Sequence, residues 1–150
     1  MDTNTNAERH LVIWQQNLNK SSDAQLDLLH YLYPNQFDIV TSQEPYINFL
    51  GNAQATPHWI TVYPTGHLDR MQKTRAIIMM NKFSISSNAW TQIDIDSPDV
   101  VGVQVVGEQG TLRIINIYNS CDNDEAMEVV DKYMQNARRR RDTKALVRYI

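Results

Sequence analysis

The sequence predicts an α/β (α+β) domain, a mixed sheet with flanking helices. Two strand-forming runs, at 11–14 and 38–43, bracket a stretch with helical apolar spacing, which reads as strand–helix–strand. Several further short β-rich segments follow, two of them joined by a loop bounded by Gly107 and Gly110. A second stretch of helical spacing then begins near Asp122.

Taken in order, residues 1–9 are polar, have nothing to bury and read as disordered. The run 11–14 begins a buried strand that gives way to a polar, turn-like segment, 15–20. Ser21 and Ser22 are N-cap candidates for a helix over about 23–33. Leu28 and Leu32, with Leu26 and Leu29 beside them, give this helix an apolar face, and Pro34 and Asn35 stop it. The strand from Asp38 ends in Gln43, Glu44 and Pro45. Strands are expected over 59–63, 75–80 and 90–95, with a polar loop over 64–73. Strands 100–106 and 111–118 form the glycine-bounded hairpin. Asp122 with Glu125 resembles a capping box opening a helix that runs to about Arg138. A last strand begins at 145–150.

The chain's 150 residues suit one domain, and 42% hydrophobic with 21% charged residues is enough for a packed core. A formal net charge of −3 argues against a general nucleic-acid coat and leaves only local basic patches for phosphate contacts. The single cysteine, Cys121, forms no internal disulfide, so a reducing compartment, nuclear or cytoplasmic, is expected. The polar residues 1–10 carry no secretory h-region, so secretion is not expected. The longest apolar run, 76–80, is too short to cross a membrane.

Chemistry is expected at one sheet edge. The strand–helix–strand crossover makes its two strands parallel, so their C-terminal ends share a rim. Asn17 follows the first strand and Glu44 ends the second. Pro45 is expected to hold Glu44 extended, with its carboxylate pointing out of the sheet end. Tyr118 and Asn119 end a third strand. An amide, a carboxylate and a phenol in that setting could hold a hydrated Mg²⁺ and a phosphate. Arg75, at a strand start beside the basic loop, is a candidate phosphate contact.

The segments Q-Q-N-L-N-K-S at 15–21, S-Q-E-P-Y at 42–46, T-R-A-I-I at 74–78 and I-I-N-I-Y-N at 114–119 occur together in this order. In that combination the chain resembles the N-terminal half of the endonuclease/exonuclease/phosphatase superfamily. It is most similar to the apurinic-like endonuclease domain of fungal non-LTR retrotransposons. The resemblance covers nearly all of 10–150 and implies half of a four-layer α/β sandwich of the deoxyribonuclease-I-like type. It also implies a Mg²⁺-dependent (or Mn²⁺-dependent) phosphodiesterase acting on DNA. In it, Asn17 and Glu44 would form the metal site, Tyr118 would contact the phosphate, and Arg75 and Asn119 would contact nucleic acid. Asn19 matches a position that is often aspartate in repair endonucleases.

The family's later G-D-x-N and S-D-H motifs do not occur in the sequence, and His10, His30, His58 and His67 lie in no S-D-H context. Residues 10–150 therefore read as a truncated domain. It would hold metal weakly, lack a general base worth 10²–10⁴-fold and show negligible nuclease activity alone. The resemblance implies that each half of the sandwich supplies about one sheet, so an apolar sheet face is expected to be bare, calling for the missing C-terminal half or self-association. Two alternatives remain: a non-enzymatic nucleic-acid-binding remnant using the Arg75 loop and Arg138–Arg141, and a fragment of a phospholipid or inositol-phosphate phosphatase. The simpler expectations are that the arginine run caps a helix C-terminus, that Trp14, Trp59 and Trp90 are core or sheet-face residues, that His67 is solvated, and that Cys121 is an unreactive thiol.

Overall fold

A computed structural model describes residues 10–140 and the backbone of 147–149. The expected disorder of 1–9 and the ends of the expected last strand lie outside the described residues, as does Arg141. Strands β1 (Ile13–Asn17), β2 (Ile39–Gln43), β3 (Trp59–Val62) and β4 (Ala76–Asn81) form one sheet in the order β1-β2-β4-β3. Strands β5 (Trp90–Ile93), β6 (Val100–Gly107), β7 (Gly110–Ile117) and β8 (Val147–Tyr149) form the second, in sequential order. Helix α1 (Ser22–Tyr31) joins β1 to β2, and α2 (Glu125–Arg139) follows β7.

The two sheets pack face to face, with Ile39, Ile78 and Met80 of the first meeting Val101, Val103 and Ile114 of the second. Fully burying such a side chain contributes about 1.5–3 kcal/mol. Leu28 and Leu32 of the α1 segment cover Val40 and Met79 on the outer face of the first sheet. Ala126 of α2 packs with Ile93 and Val100, and Val129, Val130 and Tyr133 extend that contact on the outer face of the second. The chain thus carries helix, sheet, sheet and helix layers. The expected bare sheet face is absent, because β5–β8 supply the second sheet from within this sequence and cover the first.

Three local expectations are corrected. The polar residues Gln15, Gln16 and Asn17 continue β1 rather than turning away. As an edge strand, β1 leaves Trp14, Gln15 and Asn17 exposed and Gln16 half-buried, positions where glutamine and asparagine cost little. Helix α2 starts three residues past Asp122, and the hydrogen bond at its start runs from Glu125 N–H to Asn123 Oδ1, so no Asp122–Glu125 box forms. His67 is buried, stacked on Tyr63 at 4.1 Å, with ring nitrogens 2.6 Å from Thr74 Oγ1 and 2.7 Å from Gly51 O. It ties the 64–73 loop, which folds into two 3-10 turns (His67–Asp69, Met71–Lys73), to the turn at Gly51.

The other elements follow the sequence closely. Ser21 caps α1 by accepting from Ala24 N–H at 3.1 Å, and Glu108-Gln109 turn the β6–β7 hairpin between paired Gly107 and Gly110. Trp59 is buried, while Trp14 stays 43% exposed on the sheet face, edge-on to Phe37.

Candidate active site at the shared rim of the two sheets

The parallel pairing of β1 and β2 places Asn17 opposite Gln43, the last residue before Glu44. Antiparallel β4 starts at this same edge, Ala76 lying opposite Gln43, so Arg75 is there too. In the second sheet Val100 pairs with Ile117, which brings Asp99 and Tyr118 to the corresponding end. Two backbone bonds of 2.8 Å fix this end: Arg75 N–H to Pro98 O joins the sheets, and Tyr118 N–H to Asp99 O closes the β6–β7 end.

At this rim Tyr118 and Glu44 are neighbours, and the carboxylate acts on the phenol. Hydrogen bonding to Glu44, then burial, then the negative charge of Glu44 hold the phenol above its ordinary 10.0. The Arg75 guanidinium lies 4.7 Å from the centre of the Tyr118 ring. It also grips Asp99 with two bonds, Nε to Oδ1 at 2.7 Å and Nη2 to Oδ2 at 2.8 Å. That grip raises the Arg75 pKa. Arg75 is therefore a braced cation rather than a free one, and Asp99, 5% exposed, holds it against the tyrosine.

Among the described residues, the non-glycine positions with positive φ are Asn19 (49°), Lys20 (54°) and Glu44 (48°), and all three sit at this rim. The expectation that Pro45 keeps Glu44 extended is not met. Glu44 N–H donates to Arg75 O at 2.7 Å and its carbonyl accepts from Lys20 N–H at 2.8 Å, and these two bonds hold it in the left-handed region. Such conformations cost about 1–2 kcal/mol per residue and cluster where side-chain direction is a functional requirement. Asn17 Oδ1 accepts from Asn19 N–H at 2.8 Å, shaping the same turn. Asn119, one residue past Tyr118, is exposed. Asn17, Glu44, Tyr118, Arg75 and Asn119 therefore all lie on one edge of the molecule.

Sequence reasoning missed the residues that hold this edge together. Gln25 of α1 is 2% exposed; its Oε1 accepts from Tyr46 N–H at 2.8 Å and its Nε2 donates to Gln54 O at 3.0 Å, anchoring the segment after Glu44. Asp99 was missed because nothing local marks it as the partner of an arginine 24 residues away. A polar residue on the inward stripe of a helix, as Gln25 is, was the available signal.

Two solved structures share this architecture. The endonuclease domain of TRAS1, a telomere-specific non-LTR retrotransposon, has a TM-score of 0.67 at 13% identity, covering 93% of this chain and 57% of that one. A humanized D. rerio TDP2 carrying 14 mutations has a TM-score of 0.52 at 13% identity, covering 93% of this chain and 60% of that one. This chain shares with them the deoxyribonuclease-I-like fold, two sheets packed face to face with flanking helices. This chain spans less than two thirds of the length of either structure with that fold. No family model and no curated protein matches the sequence.

Among the described residues no three His, Cys, Asp or Glu side chains group as a metal site, and no helix is long and apolar enough to cross a membrane. The rim instead offers the Glu44 carboxylate, with the Asn17 amide one strand away, while the other rim carboxylate, Asp99, is taken by Arg75. Mg²⁺ takes oxygen ligands, keeps waters and draws on substrate phosphates, so this donor set fits a cation held jointly with a phosphodiester.

Proposed function

We propose that this chain carries the metal- and phosphate-binding rim of a Mg²⁺-dependent (or Mn²⁺-dependent) phosphodiesterase of the retrotransposon-endonuclease type, with DNA as substrate. The observation that carries this reading is the convergence of Glu44 from the first sheet and Tyr118 from the second at one rim, joined through the Arg75 N–H to Pro98 O and Tyr118 N–H to Asp99 O bonds, with Glu44 held in a left-handed backbone. Glu44, with Asn17 beside it, would hold the cation, which when bound polarises a phosphate oxygen. Tyr118 would donate to a non-bridging oxygen, and the Arg75–Asp99 pair would fix the tyrosine ring. Asn119 would reach the flanking strand. The solved endonuclease domain of similar fold supports the substrate class.

In this reading Glu44 is committed to the cation and Asp99 to Arg75, which leaves neither of these rim carboxylates to deprotonate water. General-base catalysis supplies about 10²–10⁴-fold, so these residues alone bind rather than turn over. The expected result for the purified chain is negligible nicking of supercoiled DNA with Mg²⁺, and clear turnover would overturn that part of the reading. The binding part is tested by NMR with Mn²⁺ and a short DNA duplex. Paramagnetic broadening should fall on residues 17–20, 43–46 and 118–119 and vanish in Glu44→Gln. Broadening elsewhere, or none, would refute the site.

A further inference from the structure

We infer that the groove beside this rim is a second phosphate subsite, one that seats the neighbouring backbone phosphates of a nucleic-acid strand. The inference rests on the phosphodiesterase reading and names a further part of its binding surface. The groove has a volume of about 520 Å³ and is lined by Lys20, Arg70, Lys73 and Arg75 against Asp99 and Glu125. Four cations facing two carboxylates make a local positive site on a chain whose formal net charge is −3.

With Arg75 spent on Asp99, the groove still offers Lys20, Arg70 and Lys73. Arg70 Nη2 contacts Asp96 Oδ1 at 2.5 Å, but that aspartate side chain is 83% exposed, and a solvated partner of this kind yields readily to a phosphate. Arg70 Nη2 also donates to Thr65 O at 3.3 Å, and among the described residues its Nε has no hydrogen-bond partner. Lys20 is itself the second of two consecutive left-handed residues, and its backbone N–H is bonded to the carbonyl of Glu44, the proposed metal ligand. A strand whose scissile phosphate sat at Glu44 and Tyr118 would run its next phosphates along Lys20, Lys73 and Arg70. Cationic side chains in a groove that follows a backbone give sequence-independent, salt-dependent binding.

The test uses the whole chain, a fluorescein-labelled 20-base-pair duplex and EDTA, with anisotropy read from 25 to 200 mM salt. Wild type should bind with a negative log–log salt slope. Lys20→Gln with Lys73→Gln should weaken binding and make that slope about two units shallower. Both lysines are exposed, and a thermal melt confirms that the variant is folded. Lys82→Gln with Lys132→Gln, outside the groove, should change neither quantity. No binding by wild type, an unchanged slope in the groove variant, or equal losses in the control variant would each overturn the proposal. Displacement by inorganic pyrophosphate at the concentration of duplex phosphates would also overturn it, by showing a small-anion site. Glu44→Gln in EDTA should not weaken duplex binding, so a failure of the metal site and a failure of this groove read out separately.

Discussion

The side-chain amide of Gln43 donates to Asn116 Oδ1 across the space between the sheets. The Asn116 amide returns two bonds of 2.8 Å, to Ser42 O and Ile77 O, and Gln15 Nε2 donates to Gln43 Oε1 at 2.7 Å. This chain of amides, exposed at Gln15 and buried at Gln43 and Asn116, runs from the edge of one sheet into the other. Gln43 precedes Glu44 and Asn116 lies two residues before Tyr118, so the lock sets the distance between the two rim side chains.

Asn116→Leu should therefore lose more than a hydrogen bond. It keeps the volume but leaves the Gln43 donor unpaired in the interior, which costs about 2–3 kcal/mol. Urea unfolding should show a lower midpoint with the slope preserved.

The Tyr118 phenol gives a pH-dependent signature. Its folded pKa is raised above the ordinary 10.0. The stability contributed by its protonated form is complete below the ordinary phenol range and is lost as pH rises through the folded value. In ¹³C NMR of tyrosine-labelled protein, with the signal assigned by Tyr118→Phe, Tyr118 should titrate above 10.0. Glu44→Gln should bring it back toward the ordinary value by removing the charge and the charged hydrogen-bond acceptor.

Arg75→Leu should destabilise the fold by about 2–3 kcal/mol. Asp99 is 5% exposed, and removing its partner leaves a buried carboxylate uncompensated. The arginine side chain is 31% exposed, which keeps the cost toward the lower end of values for fully buried pairs. Arg75→Lys keeps the charge but cannot make the paired bonds, so it should fall between wild type and leucine in thermal melts.

Lys20→Gly should separate stability from binding. Glycine relieves a left-handed backbone that costs lysine about 1 kcal/mol. The melting temperature should rise or hold while duplex affinity falls. A lower melting temperature would show that the lysine side chain, not the backbone, stabilises this turn.

Much of the framework was legible in the sequence. Helical apolar spacing located both helices, and the strand–helix–strand rule placed Asn17 and Glu44 at one rim. The glycine-bounded loop gave the hairpin that delivers Tyr118. What escaped was non-local. The conformation of Glu44 is set by bonds to Arg75 O and Lys20 N–H, which override the extended preference imposed by Pro45. His67 is buried by contacts with Gly51 and Thr74 on either side of it in sequence, so its polar neighbours misled. The polar end of β1 read as a turn because its edge position could not be known before the strand order. The presence of both sheets in one chain was hidden for the same reason: pairing, not composition, separates β1–β4 from β5–β8.

The backbone crosses between the sheets once among the described residues, through the segment between β4 and β5. A single cleavage there would yield two pieces, each with a whole four-stranded layer and its own helix. Glu44 would lie on one piece and Tyr118 on the other. Neither piece alone would then hold the pair, and reassembly could be followed by the return of the shifted tyrosine ionisation.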